Sequence, residues 1–104
     1  MTQFPFNDLH SFKDFVTFVY MRSPDRYPVR EGVGPDEQWT LDLAFEGLRH
    51  GLSLTAKEKG ELPLVATCRA MVEEAYAHYR EGRMRDGFLK LEEMEKLLRK
   101  LPSQ

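Results

Sequence analysis

From Val65 to Leu101 the apolar residues recur at spacings of three and four, and that register is reset once, at Gly82. Val65, Cys68, Val72, Ala75, Tyr76 and Tyr79 share one helical face; Met84, Phe88, Leu91, Met94, Leu98 and Leu101 share a second. Neither face is stable in water, so the two helices must pack on each other and be covered further by the rest of the chain. The first of them is predicted to start near Pro63, a residue suited to a first helical position, and to end at Tyr79 or Arg80. The second is predicted over Met84 to Leu101. Glu92 with Lys96 and Glu95 with Arg99 are expected on its exposed side as i,i+4 pairs contributing ~0.2–0.5 kcal/mol each. Each buried large apolar side chain contributes ~1.5–3 kcal/mol, so packing decides the fold.

Two further helices are predicted in the front half. Ser11 opens the first, Asp14 places negative charge near its N-terminus, and Phe12, Phe15, Val16, Val19 and Tyr20 form its stripe. Phe4 and Phe6 precede it as a lid for the bundle end. Pro24 stops it, because the ring restricts Ser23 and offers no N–H. Residues 24–38, with Pro24, Pro28, Pro35, Gly32 and Gly34, form a long irregular loop, a kind of segment that carries function or moves. Asp36 is the candidate N-cap of the next helix, whose buried face holds Leu41, Ala44, Phe45, Leu48 and Leu52, with Trp39 at the entrance. Gly51 is placed to end it. Thr55 to Glu58 matches a capping box, which predicts a separate helical turn near residues 56–60. No segment alternates well enough for a strand. The expectation is one all-α domain over residues 1–104, with four main helices in two antiparallel pairs.

The C-terminal hairpin resembles a single tetratricopeptide unit. Ala75 is the small residue of its first helix, Gly82 stands at the turn, Met84 follows, and Gly87 lies where the helices approach closely, before Leu91 and Met94. The resemblance implies a helical hairpin of the kind that stacks to build peptide-binding grooves. Gly87 stands where that family usually has alanine, Pro102 arrives late, and residues 1–62 hold no second copy. In the front half, Ser11 to Phe15 and Trp39 to Leu41 resemble small bacterial proteins that pair a Phe-rich helix with a Trp-led one, a likeness that implies no activity.

Charge and composition narrow the function classes. A net charge of -2 gives no general attraction to nucleic acid or anionic membrane. A single cysteine forms no internal disulfide and suits a reducing cytoplasm. The N-terminus lacks the basic start and apolar run of a secretory signal, and no apolar run approaches the ~20 residues of a membrane span.

Chemistry-bearing residues are scattered. His10, His50 and His78 sit in different elements; Glu74 and His78 share a helical face, which is half a metal site or simply a surface hydrogen bond. Cys68 falls on a buried stripe, where a thiol behaves as a small hydrophobe. No nucleophile, acid–base pair or cofactor motif emerges, and no cofactor is expected. Two groups of residues remain. Arg26, Tyr27, Arg30, Asp36 and Trp39 gather around the loop, with acidic neighbours that offset much of the basic field. Phe18 and Met21 stand off the main stripe of the first helix, and Arg83 and Arg85 sit at the hairpin turn.

The leading expectation is a non-enzymatic cytoplasmic protein acting through protein–protein interaction or self-association, in an adaptor, regulatory or toxin-neutralising role, by way of Phe18, Met21, Arg83 and Arg85. The alternative is a small enzyme or ligand-binding protein with a pocket between the 24–38 loop and the bundle. A nucleic-acid-binding regulator ranks third.

Overall fold

The computed structural model describes residues 4–102, and four α-helices carry the fold: α1 (Leu9–Arg22), α2 (Leu41–Lys59), α3 (Pro63–Arg80) and α4 (Met84–Leu98). A single 3-10 turn, Pro35–Glu37, lies in the loop before α2, and the described residues form no strand. The helices pack in a closed ring, each on its chain neighbours and α1 on α4.

Cross-helix pairs fix the directions. Phe12 packs at Gly51 and Phe15 at Gly47, so α1 and α2 run antiparallel. Asp42 accepts a hydrogen bond from Tyr76, and Arg49 pairs with Glu73 at 2.8 Å, so α2 opposes α3. Tyr79 packs at Gly87 and Glu74 pairs with Lys90 at 3.2 Å, so α3 opposes α4. Tyr20 meets Phe88, and Lys13 donates to the Leu101 carbonyl at 2.6 Å, so α4 opposes α1. The result is an up-down-up-down bundle whose core includes Phe12, Val16, Phe45, Leu48, Val72, Leu91 and Met94.

Several boundaries differ from the sequence reading. Asp8, not Ser11, caps α1: its carboxylate accepts from the Ser11 N–H at 2.8 Å, and the Ser11 hydroxyl accepts from the backbone of Asp8 in return. Thr40, not Asp36, caps α2, its hydroxyl accepting from the Leu43 N–H at 3.1 Å. Asp36 belongs to the 3-10 turn.

Gly51 does not end α2. The helix runs through it to Lys59 and stops at Gly60, whose φ of +92° favours glycine. Gly51 instead brings the backbone against the Phe12 ring. Thr55 heads no capping box; it is buried in mid-helix, and its hydroxyl donates to the Gly51 carbonyl at 2.9 Å. The turn expected near 56–60 is therefore the last turn of α2.

At the other end, α4 stops at Leu98 rather than Leu101. Glu95 is not on its exposed side. It is buried against α1, where it accepts hydrogen bonds from the Thr17 hydroxyl and, at 3.2 Å, from the Tyr20 hydroxyl. Its Arg99 partner stands 3.4 Å away.

Candidate functional site

The loop between α1 and α2 is tied down by one side chain. The Gln38 amide accepts from the Arg30 N–H at 2.7 Å and donates to the Arg30 carbonyl at 2.9 Å and the Val33 carbonyl at 3.4 Å. That clamp closes the loop on itself, and Tyr27 and Trp39 pack on Phe18 of α1. Concave surfaces flank the loop on either side.

The first, a cleft of about 600 Å³, is walled by Phe4, Phe15, Phe18 and Trp39, with Asp14 and Arg30 among its polar groups. The Arg30 guanidinium lies over the Trp39 ring at 4.8 Å and donates to the Glu37 carbonyl at 3.0 Å. Phe4 and Phe6 pack on each other and on Phe15 and His50, so the two rings cover the middle of the α1–α2 pair and not the bundle end expected for them.

Phe18 belongs to this cleft. It is half-buried, with Trp39, Phe15 and Tyr27 rings 5.3, 5.8 and 6.1 Å away. The loop covers part of it within the chain, the internal alternative to a side chain bared for an interface.

The second surface is a groove of about 640 Å³ between the C-terminal end of α1, the first residues of the loop and the N-terminal end of α4. Met21 and Met84, 60% and 53% exposed, stand on its walls with Tyr20 and Phe88. Arg26 and Arg85 line it too, together with Asp25. Neither arginine makes an ion pair with another described residue.

Tyr79 also lines this groove. Its ring is held flat by Gly87, where a Cβ would stand only 2.7 Å from the ring edge. Its hydroxyl is buried and makes no hydrogen bond among the described residues. Burial, with the nearby Tyr27 phenol adding to it, pushes the Tyr79 pKa up to about 12, so the group stays a neutral donor.

The fold therefore regroups the residues picked out from the sequence. Met21 and Arg85 come together as an interaction surface would require, and Arg26 joins them rather than the loop set. Arg83 lies outside the groove lining and pairs with Glu81 beside it in the turn. Of the loop set, Arg30 and Trp39 share the aromatic cleft; Tyr27 packs behind them, against Trp39 and Phe18, its hydroxyl hydrogen-bonded to Ser23. Asp36 is exposed on the 3-10 turn and does not line the cleft.

No family model, curated protein or solved structure matches this chain.

Cys68 is fully buried, and burial pushes its pKa up to about 11, which suppresses the nucleophilic thiolate. Glu74 is engaged by Lys90 rather than by His78. Among the described residues, no three histidine, cysteine or acidic side chains converge as a metal-binding group. No described helix is long and apolar enough to cross a membrane. Sequence reasoning missed Tyr79, Met84 and Phe88 as groove residues because their stripe positions read as core. The one available signal was Gly87, a glycine inside a helical pattern, which marks close approach by a neighbour.

Proposed function

We propose that this chain is a cytoplasmic protein that works by binding another protein, and that the partner docks over the groove between α1 and α4. One observation carries the reading: Met21 and Met84, distant in sequence and each more than half exposed, stand on one concave surface. Unbranched, polarizable methionine side chains adapt to a partner's shape, which suits such a surface. Arg26 and Arg85 add charge to the same groove. A photo-reactive benzophenone amino acid at position 84 tests this in cells. Covalent adducts with another protein are expected, and Met21→Glu should reduce them severalfold. Adducts no more abundant than those from the same probe at exposed Ser53 would overturn the reading.

A second reading, a ligand-binding protein, is supported by the aromatic cleft, in which Phe18 and Trp39 meet beside Arg30. Such walls suit a planar apolar anion. Trp39 is the only tryptophan and reports directly on this cleft. Anilinonaphthalene sulfonate should quench its emission saturably, and Arg30→Gln should weaken that binding; linear, non-saturating quenching would count against a formed site.

A further inference from the structure

The groove carries more information about its occupant than its apolar walls alone. Its edge is the start of α4, where Arg83 occupies the cap position and, among the described residues, no side chain caps the first N–H groups. Those donors and the helix dipole place positive potential at Met84 and Arg85. Arg26 and Arg85 add two guanidinium groups with no ion-pair partner among the described residues. Asp25 in the lining and Asp86 in the first turn of α4 offset part of this field.

Tyr79, only 6% exposed, contributes to the wall of the groove, while its hydroxyl is enclosed and out of reach of a docked segment.

We infer that the groove receives an acidic–apolar peptide segment of the docked protein. Its carboxylate lies between Arg26 and Arg85, and its apolar side chains rest on Met21, Met84 and Phe88. The inference rests on the docking reading above and specifies the chemistry of the partner.

Selection of random seven-residue peptides displayed on phage, with the intact chain as bait, tests it. Enriched peptides should carry Asp or Glu beside Leu, Met or Phe. In fluorescence anisotropy with a fluorescein-labelled copy of an enriched peptide, replacing its acidic residue by the amide should weaken binding about tenfold, the effect of ~1.4 kcal/mol. Joint Arg26→Gln and Arg85→Gln should abolish that discrimination. Enrichment of basic or uncharged peptides, or none above an unrelated helical protein, would overturn the inference. So would peptide binding that ignores the arginine pair, or a dimer of this chain that Met21→Glu dissociates. Peptides without acidic residues that Met21→Glu still displaces would leave docking standing and remove only the acidic specificity. Absence of the photo-adducts would count against docking itself.

Discussion

The ring of Phe12 lies in the space that a side chain at residue 51 would fill. Gly51 sits inside α2, and a Cβ there would fall well within contact distance of three ring carbons of Phe12, itself fully buried. A glycine at mid-helix ordinarily costs ~1 kcal/mol against alanine. Here it sets the distance between α1 and α2. Gly51→Ala is therefore expected to destabilise the fold by ~1–3 kcal/mol despite the better helix propensity, because overpacking outweighs it. Phe12→Leu in the same chain should recover part of the loss, and a double-mutant cycle by urea denaturation measures the coupling. Additive effects would mean that the ring and the glycine do not oppose each other.

The loop should loosen when its clamp is removed. Gln38→Ala deletes three hydrogen bonds to Arg30 and Val33, each contributing ~0.5–1.5 kcal/mol at most in a part-exposed setting. Trp39, next in the chain, is half-buried against Phe18 and should become more exposed. A red-shifted Trp39 emission with the helical circular dichroism unchanged is the expected result; an unshifted spectrum would show that the aromatic contacts alone hold the loop.

Cys68 should react with a thiol reagent only as fast as the chain opens. It is fully buried with its pKa raised to about 11, so the native thiolate is scarce at neutral pH. Labelling should accelerate strongly in denaturant. Rapid stoichiometric labelling of the native protein would contradict this placement.

Acid should weaken the α2–α3 contact. The Arg49 guanidinium donates to the Glu73 carboxylate at 2.8 and 3.0 Å and holds its pKa below the ordinary value of 4.5. The unfolded chain binds the proton first, so the contribution is complete above pH 4.5 and is lost as pH falls through the lowered native value. Both partners are substantially exposed, so the loss is expected to stay below ~1 kcal/mol. Glu73→Gln should flatten that part of the stability-against-pH curve below pH 4.5; an identical acid limb in both proteins would rule the pair out as a contributor.

The Glu95 cluster gives a larger expected effect. Glu95→Ala leaves the Thr17 and Tyr20 hydroxyls without their acceptor at the α1–α4 contact, at a cost of ~1–3 kcal/mol. Thermal unfolding measures it, and Glu95→Gln, which keeps an acceptor, should lose less.

Apolar periodicity by itself determined the helix count, the all-α class and most of the core, because burial at a period of 3.6 is a local pattern of large total energy. Pro63, suited to a first helical position, marked the start of α3, and the end expected at Tyr79 or Arg80 falls at Arg80. Local punctuation was less decisive. Gly51 and Thr55 continue the stripe of Leu48 and Leu52, and this periodicity outweighs the glycine and the apparent capping box. Glu95 likewise falls between Leu91 and Leu98 on the buried stripe of α4, although its charge suggests solvent. Only the tertiary structure decided that Phe18 is partly covered by Tyr27 and Trp39, and that Met21, Arg26, Met84 and Arg85 share one groove. The physical reason is that such contacts depend on which helices become neighbours and how closely they approach. The closed packing of α1 on α4 and the glycine contacts at positions 47, 51 and 87 set both, across separations that no local sequence pattern spans.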